Sequence, residues 1–191
     1  MRFEYFGDSY DIVKRAFVQW LAPLGEWYVQ PLFTNDDVSS EQAAAFARFV
    51  GARLVVPFQA RTARELDASL DACRGKGNLL VDPDTGIAMP QPGRRVRRTH
   101  LSASSLQLLC AANPNHVIAS FDQALRREAP EESLRSKIDW FAERQIAAVA
   151  FRSHASFLFC STSADRVRDV IRLLLEAGVP KSRFVEANRE P

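Results

Sequence analysis

The chain has 191 residues, 47% hydrophobic and 25% charged, with a formal net charge of +2. This is the size and balance of one soluble globular domain of ordinary size, residues 1–191, with enough apolar content for a real core. No apolar run approaches the roughly 18–20 residues of a membrane span, and the charged N-terminus MRFEYFGDSYDIVKR lacks a signal peptide's apolar segment, so no membrane partner and a cytoplasmic setting are expected.

The first helix is expected from about Ser9, with Asp8 as its cap and Asp11 at a first-turn position favoured by the helix dipole. Ile12, Val13, Ala16, Phe17, Trp20 and Leu21 recur at helical spacing and are assigned to its buried face. WYVQPLF reads as a strand, with Pro31 indicating an edge or a strand end. A second helix starts at Ser39 or Ser40, buries Ala43, Phe46, Phe49 and Val50, and stops at Gly51. ARLVVPF is the next strand, residues 62–74 the next helix, and LLVD the strand after it.

From Thr85 to Leu101 there is no apolar periodicity, and Pro90, Pro92, Gly93 and a run of arginines make a long basic loop. LSASSLQLLCAA then reads as a helix, HVIASFD as a strand and PEESLRSKIDWFAERQ as a helix with proline in its first turn. AAVAFRS and ASFLFCS are β-rich runs forming a hairpin or one long bent strand; a last helix ends at Gly178 and RFVEA is a short strand. The alternation gives a three-layer, Rossmann-like α/β fold: a mostly parallel sheet, helices on both faces, and an antiparallel hairpin near the C-terminus.

Cys73, Cys110 and Cys160 are widely spaced and set in apolar sequence, the pattern of buried free thiols rather than of a disulfide framework or zinc cluster. The chemistry is carried elsewhere. In open α/β sheets ligands collect beyond the carboxyl ends of the strands, and three apolar runs here end in aspartate: Asp8, Asp82 and Asp122. With Asp84 they form a set of up to four carboxylates suited to a divalent cation, magnesium or manganese. Such a cation would offset their repulsion and activate water for phosphoester hydrolysis.

Arg94, Arg95, Arg97 and Arg98 are then candidates for holding the phosphates of a nucleotide or nucleic acid. Lys14 and His154 are candidate groups for charge neutralisation or proton transfer. Each residue also has a structural role open to it: Asp8 as a helix cap, DPDTG as a turn, Lys14 in a solvent-exposed i, i+3 pair with Asp11, His154 at a hairpin tip. The chain contains no P-loop sequence, no G-x-G-x-x-G and no G-x-S-x-G.

GDSYDIVK, DPDTG and RSHASFLF together resemble a group of uncharacterised bacterial proteins with G-D-x-x-D-x-x-K and D-P-D-[NT]-G segments. The resemblance draws attention to Gly7, Asp8, Asp11, Lys14, Asp82, Pro83, Asp84 and Gly86 and implies no particular activity. LLVDP and the AVAFRSHASFLFCS hairpin also resemble class I methyltransferase-like Rossmann folds. Three functions are therefore in view: a metal-dependent phosphodiesterase or nuclease, a catalytically silent nucleic-acid-associated protein, and a divergent methyltransferase.

Overall fold

A computed structural model describes residues 3–34, 38–56, 63–93, 96–97 and 99–187. Its strands are β1 (Trp27–Pro31), β2 (Arg53–Leu54), β3 (Asn78–Asp82), β4 (Gly86–Ala88), β5 (His100–Ser102), β6 (Ile118–Phe121), β7 (Ala147–Phe151), β8 (Phe157–Ser161) and β9 (Phe184–Val185). Its α-helices are α1 (Ser9–Trp20), α2 (Ser40–Val50), α3 (Ala63–Asp71), α4 (Ala103–Ala112), α5 (Pro130–Ala142) and α6 (Ala164–Glu176).

Seven strands form one sheet in the order β2-β1-β3-β6-β8-β7-β9, and β4 and β5 pair separately. β2, β1, β3 and β6 are parallel neighbours, β8 is antiparallel to both β6 and β7, and β9 is antiparallel to β7. The sheet is thus mixed and mostly of one direction, and AAVAFRS and ASFLFCS form a hairpin in the register Phe151↔Phe157.

Alternate strand residues enter two cores, as the two-residue period of a strand requires. Val29, Leu80, Ala119, Phe157 and Phe159 pack in one cluster with Phe17 of α1, Phe46 of α2 and Val170 of α6. Leu79, Val81, Ile118 and Leu158 pack in the other with Leu70 of α3, Leu106 of α4 and Phe141 of α5. Phe17 meets Phe151, Phe157 and Phe159 edge-on at ring separations of 5.1, 4.9 and 5.3 Å, and burial of a side chain of this kind contributes roughly 1.5–3 kcal/mol.

The helix ends follow the sequence signals. Asp8 caps α1, while Ser39 and Gln42 form a reciprocal capping box on α2, which ends at left-handed Gly51. Pro31 closes β1, an interior strand, and all three cysteines are free and buried.

Three expectations change. The buried stripe of α1 is Asp11, Lys14, Phe17 and Val18, with Ile12 57% and Trp20 39% exposed; the helix is rotated because two charged residues face inward. The segment 85–101 contains β4 and β5, held by parallel pairing rather than by apolar periodicity. Of ARLVVPF only Arg53–Leu54 is strand, and residues 57–62 lie outside the described residues.

Gly86 is where the chain leaving β3 crosses the end of β6. Its φ is +129°, and a Cβ there would stand 2.5 Å from an Asp122 carboxylate oxygen and 2.7 Å from the Gln123 nitrogen. Gly86→Ala is expected to destabilise the protein by about 1–3 kcal/mol; an unchanged midpoint in urea unfolding would contradict this packing.

Candidate functional site at the carboxyl edge

The site begins with the first turn of α1. Asp8 accepts hydrogen bonds from the Tyr10 and Asp11 amides at 2.9 and 3.0 Å, satisfying N–H groups that a helix start leaves open. Gly7, at φ +84°, turns its own N–H onto Asp11 Oδ2 at 2.9 Å. Asp11 and Lys14 are three residues apart and so share one helix face; here that face is the buried one.

Lys14 Nζ donates to Asp11 Oδ1 and to Asp82 Oδ2, both at 2.8 Å. The second contact spans 68 residues and ties α1 to the last residue of β3. Lys14 is 4%, Asp11 2% and Asp82 1% exposed, which corrects the expectation of a solvent-exposed pair. The ammonium also lies 5.6 and 5.2 Å from the ring centres of Phe46 and Phe121, near enough for cation–π attraction. Burial pushes Lys14 down, but Asp82 and Asp11 more than offset it and the net shift is upward. The geometry holds Lys14 as a cation between the two carboxylates.

Two carboxylates around one ammonium leave a formal excess of one negative charge inside the protein. Burial raises the Asp11 carboxyl, opposed by Lys14 and reinforced by Asp82. The second oxygen of Asp82, Oδ1, is buried and has no hydrogen-bond partner among the described residues. A buried carboxylate oxygen without a donor is costly, so this atom marks where a ligand's positive charge or N–H donor would be most strongly favoured.

Asp82 lines a pocket of about 310 Å³ together with Asp8, Asp11, Lys14, Pro83 and Asp84, walled by Tyr5, Tyr10, Phe121 and Gln123. The two sequence segments GDSYDIVK and DPDTG thus meet in one place. His154 is exposed and lies outside the pocket lining, its ring 5.6 Å from that of Tyr10, which does line it, and its carbonyl accepts from the Gln123 side chain.

Asp122 does not join them. Asp82 continues the side of β3 that carries Leu80, toward α1, whereas Asp122 continues the side of β6 that carries Ile118, toward α5. Both Asp122 oxygens receive Lys137 Nζ, at 2.9 and 2.6 Å, and Oδ1 also accepts from the Ile87 and Ala124 amides. Among the described residues no three His, Cys, Asp or Glu side chains are grouped as a metal-binding set. Of the arginine run, Arg97 lines a different pocket with His100 and Lys137, and Arg94, Arg95 and Arg98 lie outside the described residues.

Lys137 carries the clearest signal that the sequence reading passed over: a lysine in the helical apolar stripe of Leu134, Ile138 and Phe141, which calls for a buried acid. Comparison of the chain with protein-family models, curated proteins and solved structures found no match.

Because the Asp11 carboxyl is raised above its ordinary 3.8, the folded protein retains a proton that the unfolded chain loses in the window just above that value. Its contribution to stability therefore falls as pH rises through the window. Urea unfolding from about pH 4 to pH 7 should show this loss in the wild type and not in Asp11→Asn; identical pH slopes would contradict it.

Proposed function

We propose that the Asp82 pocket is the functional site and that it serves phosphoester chemistry with a divalent cation, on a three-layer Rossmann-like scaffold. The observation that carries this reading is Asp82 Oδ1, a buried carboxylate oxygen with no donor among the described residues, in a pocket it shares with Asp84 and Asp8. Oxygen ligands of this kind fit magnesium or manganese, which commonly use one or two carboxylates and fill the remaining positions with water and substrate phosphate.

Asp82 and Asp84 would hold the cation. Asp8 is engaged as a helix cap and would act at longer range, and Asp122 is committed to Lys137. When bound, the cation would polarise a phosphoryl oxygen and acidify water. Lys14 fixes Asp82 and limits the site's negative charge, Tyr10 and Phe121, packed edge to face, give an apolar corner against which a base or sugar can rest, and His154 beside Tyr10 is the candidate proton acceptor. Nucleotides or nucleic acid are the proposed substrates, and buried free thiols fit a reducing, cytoplasmic setting.

A second reading is favoured by one specific observation, that the Lys14 ammonium already stands between Asp11 and Asp82. In that case Oδ1 receives an amino group of a bound ligand, and the protein is a nucleotide- or nucleic-acid-associated binding protein without catalysis. Methyl transfer is less well supported: the methyltransferase likeness calls for a glycine-rich turn after the first strand, and Gly7 is the only glycine before Gly25.

Calorimetric titration of metal-free protein with manganese should give binding that is lost in both Asp82→Asn and Asp84→Asn. Absence of binding by folded wild type would remove the cation and leave the amine-binding reading.

A further inference from the structure

A second cavity, of about 360 Å³, is lined by Arg97, His100, Arg126 and Lys137 and by the hydroxyl residues Ser133 and Ser136. It lies between the β4–β5 pair and the early turns of α5, on the Asp122 side of the sheet. Its described lining contains basic side chains and no aspartate or glutamate.

Lys137 forms the fixed part of the site. It is 2% exposed, and its ammonium donates to both Asp122 oxygens and, at 3.0 Å, to the Ala124 carbonyl. The Lys137–Asp122 pair is neutral in sum, so the remaining charge comes from the guanidinium groups. Arg126 meets Glu132 at 3.3 Å with both side chains largely exposed, a contact that costs little to give up. The local potential registers on His100, which is held below its ordinary value by burial and then by Arg97 and Lys137, against the weaker pull of Asp122 and Asp84.

We propose that this cavity is an anion subsite that receives a phosphate monoester group. Arg97 and Arg126 supply two planar forks and Ser133 and Ser136 two hydroxyls, beside Lys137, which Asp122 holds in place from outside the lining. These donors exceed what the two oxygens of a carboxylate accept and suit a doubly charged tetrahedral phosphate, for which arginine is the preferred partner. The cavity is larger than a phosphate group alone, so the ligand is a phosphorylated molecule. The same phosphate chemistry belongs to a free nucleotide and to the end of a nucleic-acid strand. The subsite requires no cation at Asp82.

The test is calorimetry in EDTA, which removes cation-dependent binding at Asp82 from the readout. The probes are adenosine 5′-monophosphate against adenosine, and a 5′-phosphorylated oligonucleotide against its unphosphorylated form. Phosphate-dependent binding is expected, weakened about tenfold or more by the paired substitution Arg97→Ala and Arg126→Ala, with the urea midpoint unchanged because both arginines belong to the cavity wall. Tighter binding of the oligonucleotide than of the mononucleotide assigns the phosphate to a strand end, and equal or weaker binding assigns it to a free nucleotide. Absence of phosphate-dependent binding by folded wild type, or binding indifferent to the paired substitution, overturns the proposal.

Discussion

The arrangement depends on one ammonium group. Lys14 projects from α1 into the end of the sheet and bonds at once to Asp11, on its own helix, and to Asp82, at the tip of β3. Taking three charges out of water costs several kcal/mol for each ion before any attraction is counted. The arrangement is retained because every polar contact around the ammonium is short and because the aromatic rings of Phe46 and Phe121 flank it. The result locks the rotation of α1, sets which of its faces meets the core, and leaves one buried carboxylate oxygen, Asp82 Oδ1, without a donor among the described residues.

A second ammonium–carboxylate pair does comparable work on the opposite face. Lys137 and Asp122 join α5 to the end of β6, and the Gly86 backbone passes so close to Asp122 and the amides after it that no side chain fits. The two pairs differ in charge. Lys14 has two carboxylates and is shifted up, whereas burial outweighs the one carboxylate of Lys137 and shifts it down. The pocket at Asp82 is acidic, and the cavity on the other face takes its basic character from Arg97 and Arg126 rather than from the Lys137–Asp122 pair.

Much of the fold was legible because its signals are local. Asp8, Ser39 and Gly51 act at helix ends as their chemistry requires, and the alternation of strand and helix sequences gave the mostly parallel sheet with its late hairpin. The charged stripe of α1 was not legible, since Ile12 and Trp20 complete an apolar pattern by themselves while the partner that draws Lys14 inward is 68 residues away. The opposed orientation of Asp82 and Asp122 was hidden for a related reason. Three apolar runs ending in aspartate look alike in sequence, but Phe3–Tyr5 before Asp8 is a 3-10 turn and not a strand, and a one-residue difference in where β3 and β6 end relates Asp82 and Asp122 to opposite faces. β4 and β5 are too short for periodicity to register and exist through pairing with each other.

The measurement that tests this account most directly is a double-mutant cycle between Lys14 and Asp82, using Lys14→Met, Asp82→Asn and the double variant in urea unfolding. A buried pair that organises the site predicts a coupling of about 2 kcal/mol or more, because each single variant strands the other partner. Additive effects, with coupling near zero, would contradict the claim that this ammonium holds α1 and the DPDTG strap together.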